Sequence, residues 1–210
     1  MESMQPTRWE ILQILKKRSR ATVDELASAL GMTLMAIRLH LIVLERDGLV
    51  SRSSIRERPG RPTLVYTLTE NAEDVFPKSY ELLATRLLEE FQNRCGHGGM
   101  ESAYRAVAAS FAAPYLAVVQ GRSTRQRVEA ATSALNERLC FAEWESHDEE
   151  FLLHIYNCPF YRVAMKHRHV CQLDQHFLEE LVGVCPERRA SLLDKQGRCT
   201  FAVPAREQGA

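Results

Sequence analysis

No two cysteines in this 210-residue chain lie close enough in sequence to form a short chelating loop, and neither sign of charge is in excess. Nor is any apolar run long enough to span a membrane, which takes about 18 residues with few or no charges. The first residues lack the basic-then-apolar pattern of a secretory leader, so the expected location is the cytoplasm and no membrane partner is expected. A disulfide framework is not expected in that reducing compartment. The six cysteines are left for metal, cluster or redox chemistry. Serine-hydrolase and kinase signatures are missing. The run Gly96-His97-Gly98-Gly99 has neither the lysine nor the spacing of a phosphate loop.

The balance of charge hides an asymmetry. Over the whole chain 27 Lys+Arg cancel 27 Asp+Glu, but residues 1 to 68 hold 11 against 7, a net of +4. The remainder therefore holds 16 against 20, a net of −4. Phosphate neutralisation depends on local charge, so the N-terminal third is the part suited to nucleic acid. A hydrophobic content of 45% is enough for more than one compact core in a chain of this length.

Apolar spacing places that basic third on helices. Ile11, Leu12, Ile14 and Leu15 recur at helical intervals over Thr7 to Lys17, with Trp9 at the start. Thr22-Val23-Asp24-Glu25 offers a capping box for a second helix, with Leu26, Ala27 and Leu30 inward and a stop at Gly31. Thr33 is placed to cap a third, which turns Ile37, Leu41 and Leu44 to one face. Short helix, tight break and longer helix is the spacing of a helix-turn-helix.

Gly48-Leu49-Val50 then ends the third helix and starts a strand, and Leu64-Val65-Tyr66-Thr67-Leu68 reads as its return. The turn between them carries Arg56, Arg58 and Arg61 around Pro59-Gly60. Such a wing suits phosphates or a narrow minor groove. The expected partner is double-stranded DNA. Thr33, Leu34 and Arg38 are the candidates for base edges, with His40 beside them, and Arg58 and Arg61 are the candidates for backbone or minor groove. The sequence T-x-x-A-I-R-x-H-L-x-x-L-E-R-D-G-L-V followed by R-P-G-R-P-x-x-x-Y-x-L-T resembles the winged-helix regulators of the broad ArsR and DeoR type over about the first 70 residues.

From Asn71 to Asn93 the chain is helix-compatible, with Pro77 at a start or kink. Leu82, Leu83, Leu87, Leu88 and Phe91 make an apolar stripe. Its partner is either the chain's own second domain or the same helix of another subunit. The second arrangement would give a homodimer that sets two reading heads one DNA turn apart on a palindromic operator. Gly96 to Gly99 reads as a flexible break.

Beyond it, residues 101 to 120 and 124 to 139 read as helices, Phe151 to Tyr156 as a buried strand, Tyr161 to His167 and Asp174 to Leu181 as helices, and Gly197 to Val203 as a turn entering a last strand. The fold class expected is α+β and mostly helical. A winged helix-turn-helix occupies 1–70, a helical connector 71–97 and an α+β sensor domain 98–210.

Cys158, Cys171, Cys185 and Cys199 are spaced C-x12-C-x13-C-x13-C. Structural zinc usually relies on close pairs, whose short loops are cheap to order. Thiolates this far apart converge only on a folded scaffold, and four of them fit an iron-sulfur cluster. The motifs N-C-P-F-x-x-V-A, H-V-C-x-L-D, the cysteine before P-E-R and G-x-x-C-T-F resemble the C-terminal half of the SufR group of iron-sulfur-sensing regulators. That resemblance implies a dimer with a 4Fe-4S cluster in each subunit. It also implies a cluster-loaded form that represses cluster-assembly genes, with Cys158, Cys171, Cys185 and Cys199 as ligands. The last interval is one residue shorter here than is usual in that group, which makes Cys185 the least secure of the four.

Two other readings are open. The same DNA reader could answer zinc, thiol oxidation or a small ligand, with His167, His169 and His176 as minor candidates for a metal. A cysteine enzyme built on Cys158 with His154 or His167 would lack an orienting third group, so no enzymatic activity is expected. Cys95 and Cys140 stand apart and read as ordinary thiols.

Overall fold

The first helical pattern is realised as α1 (Pro6–Arg18), with the proline in its first turn, where a missing N–H costs nothing. The computed structural model describes residues 4–56, 62–147 and 149–205. It divides into two units, Met1–Lys78 and Ser79–Ala210, so the boundary falls inside the segment read as a connector.

In the first unit α2 (Val23–Leu30) carries the expected capping box and ends on Gly31 in the left-handed region. Thr33 caps α3 (Leu34–Arg46) by accepting a hydrogen bond from the Ala36 N–H at 3.2 Å. Ile11, Leu12, Leu15, Leu26, Ile37, Leu41 and Leu44 are all sealed from solvent in one core. Strands β1 (Val50–Ile55) and β2 (Thr63–Leu68) pair antiparallel from Val50 opposite Leu68 to Ile55 opposite Thr63. A bridge between Ala21 and Tyr66 adds a third short edge. Trp9 lies 5.4 Å ring to ring from Phe76 and holds the end of the unit against α1.

The second unit begins with α4 (Tyr80–Ala112), longer than the two pieces expected. The break expected at the glycine run takes the form of a sharp kink between two helical stretches: Gly96, with φ of 64° and ψ of −169°, is the one residue there outside helical geometry. Residues 113 to 119 follow as a 3-10 turn and the one-turn α5 (Leu116–Val119), so the helix expected to 120 ends sooner, where Pro114 interrupts it. Then come α6 (Thr124–Glu137), β3 (Ala142–Ser146), β4 (Glu150–Ile155), the short α7 (Tyr161–Ala164), α8 (Gln172–Val182), β5 (Glu187–Ala190) and β6 (Cys199–Pro204). The strands form one antiparallel sheet in the order β3-β4-β6-β5. Phe151, Leu153, Ile155, Phe201 and Val203 pack with α4, α6 and α8 in a second core.

The class is therefore α+β, mostly helical, with a winged helix-turn-helix followed by a helical and sheet-bearing region. Among the described residues no single helix is long and apolar enough to cross a membrane.

Candidate functional site

Two surfaces carry the chemistry. The first is α3. With Ile37, Leu41 and Leu44 turned to the core, its period of 3.6 leaves Thr33, Leu34, Met35, Arg38, Leu39 and Ile42 outside. Met35, Leu39 and Ile42 are 63%, 58% and 61% exposed, an apolar stripe on a helix whose free side would ordinarily be polar. His40 is half-buried between the two faces. Arg46 bonds Asp47 at 2.9 Å and Arg52 bonds Glu45 at 3.1 Å. Arg38 makes no ion pair among the described residues, so its guanidinium is available to an outside partner. A groove beside it runs between α3 and the hairpin, lined by Arg38, Ile42, Glu45, Arg52 and Leu64. Arg58 and Arg61 lie outside the described residues.

The second is a small cavity in the sheet-bearing unit, lined by Cys158, Cys171 and Cys199 together with Asp174 and Arg188. Each thiol arrives on a different element. Cys158 sits in the loop after β4. Cys171 closes a 3-10 turn and heads α8. Cys199 opens β6 opposite Ile155, so alternation turns it to the helix-covered side of the sheet. Asp174 stands one turn into α8, on the same side as Cys171. The structure thus brings together three of the four cysteines expected to act jointly.

Cys185 is not with them. It is exposed in the loop after α8, where its Sγ accepts a hydrogen bond from Gln175 Nε2 at 3.5 Å. The same amide donates to the Pro186 carbonyl at 3.1 Å. Among the described residues no group of three or more His, Cys, Asp or Glu side chains is close enough to hold a single metal ion.

Burial sets the electrostatics of the cavity. It pushes the Cys158 thiol up to about 12, with the Asp174 carboxylate adding to the shift. Burial likewise raises Cys171 and Cys199, the latter against the pull of the Leu192 N–H. Asp174 is pushed up to about 6 by burial, against the favourable charges of Arg138 and Arg188. Arg138 lies over Phe111 and Phe177, 4.1 and 4.9 Å from the ring centres. Thiols in such a place are protonated and inert unless positive charge joins them.

The candidates for a cysteine enzyme find other partners. His154 faces Thr200 Oγ1 at 3.1 Å with one ring nitrogen and Glu145 at 3.3 Å with the other. His167 Nε2 lies 3.9 Å from Glu89. The His169 ring lies 5.8 Å from that of His97 and tilted to it, and His176 lies 3.0 Å from Glu101. None of these histidines lines the thiol cavity.

Asp174, Met35, Leu39 and Ile42 were not singled out from the sequence. Asp174 lies within the H-V-C-x-L-D motif, but an aspartate in a first helical turn is expected anyway as a partner of the helix dipole. The three apolar residues could have been found by subtracting the core face of α3 from its sequence.

The fold and the exposed third helix define the class: a DNA-binding transcriptional regulator with a winged helix-turn-helix. Residues 5–52 match the family model described as bacterial regulatory protein, arsR family. A solved structure, that of the transcriptional regulator homologue protein from Pyrococcus horikoshii OT3, is similar at 27% identity over 33% of this chain and 68% of that one, with a TM-score of 0.31. No curated protein matches the chain.

Proposed function

We propose that this regulator is a homodimeric repressor of iron-sulfur assembly genes, gated by a 4Fe-4S cluster that Cys158, Cys171 and Cys199 hold. The observation that carries the reading is the convergence of three thiols, 13 and 28 residues apart in sequence, on one cavity. Their buried, protonated state is costly to ionise without a cationic partner, and that cost is what an inorganic core offsets.

When bound, the cluster supplies positive charge and fixed sulfur-to-iron bonds; the chain supplies the response. Drawing Cys158, Cys171 and Cys199 to one centre ties the β4 loop, the head of α8 and the start of β6 together. Leu83 and Leu87 on the exposed side of α4 support pairing with a second copy, which two-fold recognition of a palindromic operator requires. A coupling of about 1–3 kcal/mol between cavity and reading head changes operator affinity roughly 5- to 150-fold. On the DNA side Thr33, Leu34 and Arg38 address base edges, with His40 beside them, and Arg58 and Arg61 are the candidates for backbone or minor groove.

The test is anaerobic reconstitution with ferrous iron and sulfide, followed by footprinting of loaded and apo protein on the same operator. The loaded form is expected to be brown, to contain iron and sulfide, and to protect the site more strongly. Zinc without sulfide, or equal protection by both forms, removes the gating.

A further inference from the structure

We infer that Asp174, and not Cys185, is the fourth protein ligand of the centre held by Cys158, Cys171 and Cys199. The inference rests on the cluster reading above and concerns which side chain completes it.

Three observations point to Asp174. It lines the cavity that the three thiols line, and it follows Cys171 by one helical turn, so both side chains reach the same space from the head of α8. It is only 9% exposed. Among the described residues its carboxylate takes part in no hydrogen bond and no ion pair at bonding distance. A buried carboxylate without a partner is expensive, and buried charges are as a rule paired or metal-bound. Cys185 has the opposite properties: it is exposed, it lies outside the cavity, and it bonds the amide that pins its own loop.

The charges are consistent with the assignment. Three thiolates and one carboxylate put four negative charges around the core. Arg188 lines the same cavity, and the charge of Arg138, held over the Phe111 and Phe177 rings, also favours the Asp174 carboxylate. The two guanidiniums offset part of that charge from fixed positions. A carboxylate is a harder donor than a thiolate, so the iron it holds differs from the others in its bonding.

The full-length chain is reconstituted anaerobically with iron and sulfide as wild type, Cys185→Ser, Asp174→Ala and Asp174→Cys. The Cys185→Ser variant is expected to keep the iron and sulfide content and the visible spectrum of the wild type. Asp174→Ala is expected to lose at least half of its iron. Asp174→Cys is expected to retain the cluster and, after one-electron reduction with dithionite, to show an altered electron paramagnetic signature. Mössbauer spectra of wild type loaded with iron-57 give a readout that needs no variant: one iron should differ from the rest in the wild type and match them in Asp174→Cys.

Loss of the cluster in Cys185→Ser, or a wild-type content and spectrum in Asp174→Ala, overturns the assignment. The second result would reduce Asp174 to a counter-charge for the arginines. Wild type that takes up iron without sulfide, or neither, would instead remove the cluster reading itself, a failure distinct from choosing the wrong ligand.

Discussion

The backbone N–H of Leu192 points at the sulfur of Cys199 from 3.4 Å. Its donation favours the thiolate while burial opposes it, and burial wins. The cysteines therefore fall into separate reactivity classes. In native apo protein at pH 8, Cys95 and Cys185, both exposed, should alkylate first. Cys140, pushed up to about 11 by its burial, should stay unmodified until the protein unfolds. Loading with iron and sulfide should protect Cys158, Cys171 and Cys199 and leave Cys95 and Cys185 open. Mass spectrometry of the labelled peptides reads all three outcomes.

The exposed apolar stripe of α3 predicts how DNA is read. Methyl-bearing side chains in a major groove meet the thymine C5-methyl group. Sites selected from a random duplex pool should carry thymines beside the contact of Arg38. Exchanging those thymines for uracil should weaken binding by wild type and much less by Leu39→Ala. Arg38→Ala should cost about 1–3 kcal/mol, the worth of a bidentate base contact. A gel-shift titration at fixed salt is sufficient, and an equal response of both proteins to uracil would refute the assignment.

A different prediction concerns stability. The Thr22 N–H donates to Glu25 Oε2 at 2.7 Å, and the Glu25 N–H to Thr22 Oγ1 at 3.2 Å. Thr22→Ala should destabilise the first unit by about 1 kcal/mol, the usual cost of a lost N-cap. Those bonds from Thr22 hold the Glu25 carboxyl below its ordinary range. A depressed carboxylate stabilises the fold above its unfolded pKa and loses that contribution as pH falls through the folded value. Wild type and Glu25→Gln should therefore converge in melting temperature as the solution is acidified through that range.

The exposed side of α4 should govern assembly. Leu83 and Leu87 lie four residues apart on a helix and are both mostly exposed, while Leu88 packs against the core. Leu87→Glu should shift the chain from dimer to monomer in light scattering, leave its helical signal intact, and abolish binding to a two-half-site operator. A dimer that survives both Leu83→Glu and Leu87→Glu would place the interface elsewhere.

The kink in α4 makes a further case. Gly96 adopts a positive φ, and a Cβ on Gly99 would collide with Cβ of Cys95. Gly96→Ala should cost about 1 kcal/mol or more, because the left-handed region penalises a side chain. Thermal denaturation measures the loss, and no change would mean the helix straightens freely.

The winged helix was legible because its signals are local. A capping hydroxyl, a glycine stop and a 3.6-residue apolar period each act within a few residues, and Thr22, Gly31 and Ile37 do what those signals imply. The sheet was less so. In β5, Glu187 to Ala190 has no apolar alternation; it is a strand because β6 offers its free edge, with a bulge at Arg188 to Ala190. By contrast Ala142-Glu143-Trp144-Glu145-Ser146 alternates plainly and could have been read as β3. The cavity was half visible. Cysteine spacing indicates that distant thiols converge, but only tertiary packing separates Cys185 from the other three and brings Asp174 among them.

Cys171 is at once a lining thiol and the residue at which α8 starts, so it cannot shift without carrying a whole rod. That rod lies along α4, to which Glu179 is tied by Arg105 at 3.3 Å. A displacement of that sulfur is thereby geared to the stretch of α4 beyond the Gly96 kink, where Arg105 lies, and mechanical advantage of this kind needs no unfolding to be felt there.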